Sequence, residues 1–360
     1  MSAKRVSLKT VAETAGVSVP TVSQILNRRS GNYSSQATRQ KVLEAARKLN
    51  YRPSFAYRLM QGKETNTAAI LDSDHDIFKA EFPKTLFIEL AICFEKRKWS
   101  VYTGGFSRSV ERNLELISEM HQRGVEKVVL VGTPVGWREI VAKLEEYAIP
   151  YVGTAAGIYS RTVQNGSRLG VERIIRRLKE TAGRHLKLVV PANAETRPEN
   201  LSRFRALCAA YPELPQADLL SMIVMPPPIP PDCPDYPEAA RTVGYETAKK
   251  ILTEEPETRA IVFINDDTAL GGAYYLMEHP ELRPKVRLAG YNNNTGLADF
   301  PVPITTGGTP SGLWAEELVN SIADEGRFEK TVYPVLRFRE EDPSKKTYPF
   351  WREEVVQVTP

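Results

Sequence analysis

Residues 8–27, LKTVAETAGVSVPTVSQILN, decide the fold of the amino-terminal part of this 360-residue chain. The first apolar positions of this stretch have the i, i+3, i+4, i+7 spacing of an amphipathic helix: Leu8, Val11, Ala12 and Ala15. Ser7 can cap this helix, and Gly16 supplies the permissive turn that ends it. The spacing therefore predicts a short helix that ends in a tight turn.

A second helix is predicted directly after that turn. Ser18 can cap it, Pro20 is tolerated in its first turn, and Val22, Ile25 and Leu26 form its buried stripe. A third helix starts at Ser35. The remaining face of the second helix carries side chains suited to hydrogen bonding with phosphates and base edges: Thr21, Ser23, Gln24, Asn27 and Arg28. Two helices joined by a tight turn and supported by a third are typical of a helix-turn-helix domain, whose second helix enters the major groove of DNA.

The basic residues of the chain are concentrated in the same amino-terminal part. Residues 1–63 contain twelve Lys and Arg against the two acids Glu13 and Glu44, a net +10. The remaining residues contain 36 basic against 42 acidic side chains, a net −6, so the whole chain carries +4. A basic first domain on a mildly acidic body indicates that the first domain binds a polyanion. A basic tail without a fold is disfavoured by the apolar periodicity.

The run at residues 8–27, with TRQKVLEAARKLNYRP at 38–53, resembles the headpiece of the LacI/GalR (lactose-repressor) family of bacterial transcription regulators. The resemblance implies operator DNA as a partner, with bases read by Val19, Pro20 and Gln24. It implies phosphate contacts by Thr21, Ser23 and Asn27 and a contact of Tyr33 with the DNA backbone. Ser18 and Arg28 are also expected to contact DNA. Gln24 can pair bidentately with adenine, whereas Val19 and Pro20 offer only apolar contact, such as to a thymine methyl group.

Residues 54–64 follow this domain and, by composition alone, are equally consistent with a disordered linker. In the family this segment is a hinge helix that folds on DNA and wedges an apolar side chain into the central minor-groove step. That position corresponds to Met60, with Leu59 before it. A homodimer is implied because two half-sites need two headpieces.

From about residue 65 short apolar runs alternate with helical patterns, first in the series TAAILD, FIELAICFEKRK and WSVYTGG. A second series includes LKLVVPA, AIVFIND and VRLAGYN. Strand and helix in alternation predict an α/β fold with parallel sheets. Two such series are typical of a two-lobed body like a periplasmic binding protein, with ligand at the carboxyl ends of the strands. The predicted domains are a headpiece at 1–53, a hinge at 54–64, a body at 65–340 and a carboxyl-terminal extension at 341–360.

Effector contacts are carried over from the family to Ser73, Arg203, Asp266 and Asn292, and Arg205 competes with Arg203 for its position. An arginine fork with an aspartate acceptor suits vicinal hydroxyls or a carboxylate, so a sugar or sugar derivative is expected between the lobes. Each residue alone is better explained as a surface salt-bridge partner, whereas their combination at strand ends favours a binding role. The proline-rich segment MPPPIPPDCPDYPEAA (225–240) includes Tyr236, which could line the cleft, although a stiff surface loop without ligand contact is the preferred interpretation.

Other function classes find little support. The four histidines have no metal-ligand spacing, and no nucleophile elbow, dinucleotide fingerprint or phosphate loop occurs, so no enzyme, metal or cofactor is expected. Asp72, Asp74 and His75 are the only metal-like cluster, and solvated carboxylates explain them better. Three cysteines without CxxC spacing fit reduced thiols. The absence of a signal peptide or apolar span predicts a cytoplasmic, nucleoid-associated bacterial protein without membrane contact, and argues against a transport solute-binding protein. Control by a protein partner or a non-sugar carboxylate remains the alternative to a sugar.

Overall fold

The computed structural model describes residues 6–26, 34–51, 64–73, 81–190, 201–230, 233–297, 300–339 and 351–356. The chain divides into two compact units, residues 1–65 (the headpiece) and residues 66–360 (the body). None of the described helices is long and apolar enough to cross a membrane.

The described residues of the headpiece form three helices: α1 (Leu8–Ala15), α2 (Val19–Leu26) and α3 (Gln36–Lys48). Ser7 caps α1 in a reciprocal capping box with Thr10, and Gly16 ends α1 in the left-handed conformation at φ 67°. Side chains from all three helices form one small core, in which Val11, Val22 and Val42 are completely buried. The helix-turn-helix fold predicted from these residues is thus confirmed.

The body alternates strands and helices along its whole described length. Its first half contains β1 (Thr67–Asp72), α4 (Glu81–Lys96), β2 (Ser100–Gly105), α5 (Val110–Gln122), β3 (Lys127–Val131), α6 (Trp137–Glu146), β4 (Tyr151–Gly153) and β5 (Arg161–Asn165). Its second half contains α7 (Ser167–Ala182), β6 (Leu186–Val189), α8 (Ser202–Ala210), α9 (Gln216–Ser221), β7 (Ile223–Val224), α10 (Tyr236–Glu254), β8 (Ala260–Val262), α11 (Asp266–Glu278), β9 (Arg287–Ala289), β10 (Ile304–Gly308), α12 (Ser311–Ser321), β11 (Phe328–Val332), β12 (Val335–Arg339) and β13 (Trp351–Val355).

These elements build two lobes. Lobe 1 has a six-stranded parallel sheet in the order β11-β5-β4-β3-β1-β2. All six residues of its β1 are buried, because α4 and α12 cover one face of the sheet while α5 and α6 cover the other. A strand covered on both faces reads as a continuous apolar run, which TAAILD nearly is.

Lobe 2 has a seven-stranded sheet in the order β13-β12-β10-β9-β8-β6-β7. Helices α7 and α8 cover one face, and α10 and α11 cover the other. Helices α10 and α11 approach closely because Gly244 and Gly271 have no side chain; a Cβ on Gly244 would lie 1.9 Å from the Thr268 carbonyl oxygen. The two-lobed α/β architecture predicted from the alternation is therefore confirmed.

Two details of lobe 2 correct the sequence analysis. The sheet is not wholly parallel, because β12 pairs antiparallel with both β10 and β13. Residues 341–360 are also not simply an extension beyond the body, because β13 is the edge strand of this sheet. The Glu354 carboxylate accepts from Nε of Arg173 on α7 at 2.7 Å, and Val356 packs against the core of lobe 2.

The chain passes between the lobes three times, and hydrogen bonds tie the three crossings together. The Gly166 amide donates to the Val332 carbonyl at 3.0 Å and to the Thr309 hydroxyl at 3.2 Å. The Thr309 hydroxyl in turn donates to the Val332 carbonyl at 3.3 Å. Each crossing leaves the carboxyl end of a strand, namely β5, β10 or β11. The carboxyl edges of the two sheets consequently face one cleft.

Candidate functional site

Helix α2 presents to solvent the side chains expected to read bases. Val22 and Ile25 face the headpiece core, whereas Val19 is 39% exposed and Pro20 and Gln24 are also exposed. The amide of Gln24 is therefore accessible to a partner. This arrangement follows from the period of 3.6 residues for positions 20 and 24, which lie opposite the buried stripe, whereas Val19 is exposed as the first residue of the helix.

The hydroxyls at the start of α2 are partly committed to the helix itself. The Ser18 hydroxyl accepts from the Thr21 amide at 3.3 Å and lies 2.8 Å from the Thr21 hydroxyl. Thr21 and Ser23 are half-buried at the sides of the exposed face. The other predicted DNA contacts lie outside the described residues: Asn27, Arg28, Tyr33, Leu59 and Met60.

In the body, Ser73 lies at the carboxyl end of β1, on the lobe 1 side of the cleft. Its amide donates to the Val131 carbonyl at 3.0 Å, which extends the pairing of β1 with β3 by one residue. Gly132 follows β3 with φ 75°, and a Cβ there would lie 2.1 Å from the Ser73 hydroxyl oxygen. The glycine leaves the space that this hydroxyl occupies.

The Asp266 carboxylate is hydrogen-bonded within the protein itself. It is completely buried, and it accepts from the Thr306 hydroxyl at 2.7 and 2.9 Å and from the backbone N–H of Asn294 at 2.8 Å. The side chain thus ties the start of α11 to the loop after β9 and to β10. These bonds fix the position of Asp266 at the floor of the cleft, and its contact with an effector stays a prediction.

The residue before it, which the sequence analysis did not select, is closer to the cleft surface. Asn265 caps α11 through a reciprocal capping box with Thr268, and its Nδ2 donates to the Tyr236 hydroxyl at 3.3 Å. The end of the proline-rich segment thereby places the Tyr236 hydroxyl at the strand-end turn, while the absence of ligand contact expected for this segment stays a prediction. The N-x-x-T pattern at 265–268 was the available sequence signal for Asn265.

The side chains of Arg203 and Arg205, the two candidates for one effector contact, lie in different surroundings. The Arg203 guanidinium lies 5.8 Å from the centroid of the Tyr291 ring, and its buried Nη1 has no hydrogen-bond partner in the described part of the chain. Burial lowers the pKa of this guanidinium, while Tyr291 and Asp266 act in the opposite direction. Arg203 and Asp266 form no salt bridge with each other in the described residues, and their joint contact with a ligand stays a prediction.

Arg205 is instead exposed and lines a cavity of about 640 Å³. The other walls of this cavity come from the start of α7, from Ser202 of α8, and from β5 and β11 of lobe 1. It therefore lies against both lobes. Neither α7 nor α8 has a side-chain cap at its amino terminus.

Asn292 follows β9 and lines a second cavity, of about 290 Å³. The backbone N–H of Asn292 donates to the Gly307 carbonyl at 2.7 Å. Asn292 and Asn293 have φ values of 123° and 57°, a backbone that side chains rarely adopt, and the Asn292 backbone leaves no room for a Cβ on Gly308. Strain of this kind is held only where the surroundings fix it, and it is common at binding sites.

Comparison with known proteins agrees with a helix-turn-helix headpiece and a two-lobed body. The family model described as bacterial regulatory proteins, lacI family, matches residues 7–54, a range that contains all three headpiece helices. The transcriptional repressor PurR of Escherichia coli O139:H28 is 26% identical over 353 residues, covering 95% of this chain and 94% of PurR. Residues 7–54 thus form a LacI-family domain, and the chain resembles the repressor PurR over nearly its whole length. The matched domain is that of DNA-binding regulators, and PurR is a transcriptional repressor.

Further LacI-family relatives agree over nearly the full length. The regulator CelR of Thermobifida fusca is 24% identical, covering 89% of this chain and 92% of CelR. A structure of the Lac repressor dimer bound to operator and an anti-inducer has a TM-score of 0.72 at 19% identity, covering 91% of this chain and 97% of the repressor chain. A CelR–cellobiose complex has a TM-score of 0.57 at 21% identity, with 92% and 98% covered. At these identities the two structures support the fold.

Proposed function

We propose that the protein is a repressor that binds a pseudo-palindromic operator as a homodimer and is controlled by a small sugar-like effector bound between its lobes. The exposed Gln24 on α2, within residues 1–63 of net charge +10, is the observation that carries the DNA-binding part. Val19 and Pro20 add apolar contacts, while Ser18, Thr21, Ser23, Asn27, Arg28 and Tyr33 position the helix on the phosphates. Residues 54–64 act as the hinge, with Leu59 and Met60 at the central step. Such a protein works on the nucleoid, in the bacterial cytoplasm.

Exposed apolar side chains on the body support the homodimer. Ile88 and Ile92, one turn apart on α4, are 45% and 36% exposed. On lobe 2, Tyr274 of α11 is 44% exposed and packs edge-to-face on Phe300 with ring centroids 5.2 Å apart. Two half-sites of a pseudo-palindrome require two identical headpieces, so a second copy of the chain is the partner assigned to these surfaces.

The polar groups at the strand ends support the effector part. Ser73, Asn265 and Asn292 offer a hydroxyl and two amides at carboxyl ends of strands, and the Tyr236 ring lies against Asn265. Arg203 adds a buried Nη1 that is without a hydrogen-bond partner in the described residues, and such a donor gains from a ligand hydroxyl or carboxylate. CelR has been solved with cellobiose, which favours a sugar over a non-sugar carboxylate.

Selection of genomic fragments by the purified protein tests this function. We expect a symmetric consensus, two chains per fragment in analytical ultracentrifugation, and affinity that falls steeply with salt because counterions are released from phosphates. A panel of sugars is then added to the complex, and the active sugar should change operator affinity. An asymmetric or absent consensus would refute operator recognition, and release by a co-purifying protein instead of a sugar would favour control by a protein partner.

A further inference from the structure

The cavity of about 290 Å³ beside Asn292, here termed the amide cavity, has a composition that the proposed sugar site does not explain. Its walls come from both lobes. Thr85 and Glu89 of α4 belong to lobe 1, whereas Asn293 and the β12–β13 pair belong to lobe 2. A ligand in it therefore contacts both lobes at once. Its volume lies at the lower end of the range for small-molecule sites, so the occupant is small.

The charges that line the amide cavity do not balance. Arg337 on β12 and Glu353 on β13 neutralise each other, because the arginine Nε donates to the carboxylate at 2.9 Å. Glu89 is half-buried and forms neither an ion pair nor a side-chain hydrogen bond with any described residue. One negative charge is thus left without a counter-charge. The Glu89 carboxylate lies beside Gly312, where an added Cβ would be 3.4 Å from its Oε2, an ordinary contact distance.

The same cavity is lined by a hydrogen-bond acceptor without a donor. Nδ2 of Asn293 donates to the Gly308 carbonyl at 3.0 Å and to the Val335 carbonyl at 2.9 Å. Both amide hydrogens are used in these bonds, which fixes the orientation of the side chain. Oδ1 of Asn293 is buried and has no hydrogen-bond partner in the described residues. A donor supplied from outside the protein would satisfy it.

We propose that the amide cavity binds the ammonium group of a small primary amine, held by the Glu89 carboxylate and by Oδ1 of Asn293. An ammonium group carries one positive charge and three donors, which matches one unbalanced carboxylate and a surplus of acceptors. A neutral polyol supplies the donors but not the charge. Because Glu89 and Asn293 belong to different lobes, the bound amine stabilises the lobe arrangement described here. This binding does not depend on operator recognition.

Thermal unfolding of the full-length protein with matched pairs of probes tests the proposal. Propylamine is compared with 1-propanol, and ethanolamine with ethylene glycol, each at millimolar concentration, so that neither pair contains a sugar. We expect the amines to raise the melting temperature of the wild type and the neutral partners to leave it unchanged, since a ligand that binds only the folded state stabilises it. Titration calorimetry then gives the affinity.

The variant Glu89→Gln removes the charge while keeping the shape, and Glu95→Gln, at an exposed acid on the same helix, is its control. Glu89→Gln should weaken amine binding by at least about tenfold, because a charge-assisted hydrogen bond is replaced by a neutral one. Glu95→Gln should bind as the wild type does. If Glu89→Gln alone lowers the melting temperature without probe, Glu89→Asp, which keeps the charge, should still bind amines. Equal binding of amines to wild type and Glu89→Gln, or of amines and their neutral partners, would overturn the proposal.

Discussion

Replacement of Asp266 by alanine should destabilise the body. The Asp266 carboxylate accepts hydrogen bonds from the Thr306 hydroxyl and the Asn294 amide, and all three residues are buried. Alanine would leave two buried donors without an acceptor, at a cost of about 1 kcal/mol or more each. A total of about 2–3 kcal/mol corresponds to a fall in melting temperature of about 4–12 °C, at roughly 2–4 °C per kcal/mol for a domain of this size.

Circular dichroism melts of the wild type, Asp266→Ala and Asp218→Ala measure this effect. Asp218 is an exposed acid in the first turn of α9, so its replacement should change stability by less than about 0.5 kcal/mol. If Asp266→Ala melts no lower than Asp218→Ala, the hydrogen bonds assigned to Asp266 do not stabilise the body. An unchanged melting temperature with complete loss of the effector response would support the direct ligand contact expected from the sequence.

Three further outcomes are expected. Gln24→Ala should lose discrimination at one base pair in each half-site, by about 1–3 kcal/mol, in a selection on randomised operators, and an unchanged base preference would exclude Gln24 as a base reader. Gly16→Ala should lower the free energy of unfolding of the headpiece by about 1–2 kcal/mol in a melt of the isolated domain, because φ is 67° at this position. The cost comes from the backbone conformation, since no atom lies within 4 Å of the added Cβ. An unaltered melt would show that this turn adopts another conformation. Ile88→Glu should shift the chain from dimer to monomer in sedimentation, since it places a charge in the proposed interface, and a persistent dimer would assign the contact to another surface.

The headpiece could be predicted from its sequence because its determinants are local. Ser7, Gly16 and Ser35 mark helix ends through their own hydrogen bonds or backbone conformation, and the apolar spacing fixes which face is buried. The alternation of strands and helices in the body could be predicted equally well. The partner of β13 could not be predicted, because residues 340–350 separate it from β12 and its pairing depends on tertiary packing.

The cleft shows where the sequence stops being informative. Arg203 and Arg205 are two residues apart on one helix, so they face directions about 200° apart, and only the packing of α8 decides which one is buried. The sequence likewise does not distinguish whether Asn265 or Asp266 is nearer the surface. The structure buries Asp266 because Thr306, forty residues later, supplies a hydroxyl to its carboxylate.

The hydrogen-bonded crossings limit how an effector can act on the body. Gly166, Thr309 and Val332 join the three connections at one place, so relative motion of the lobes is concentrated there. A ligand between the lobes changes DNA affinity only by its difference in affinity for two lobe arrangements, a coupling of typically about 1–3 kcal/mol. Groups from both lobes, such as Ser73 with Asn292 or Glu89 with Asn293, provide such a difference, because opening separates them. A ligand held entirely by lobe 2 would bind both arrangements equally and would leave the operator complex unchanged.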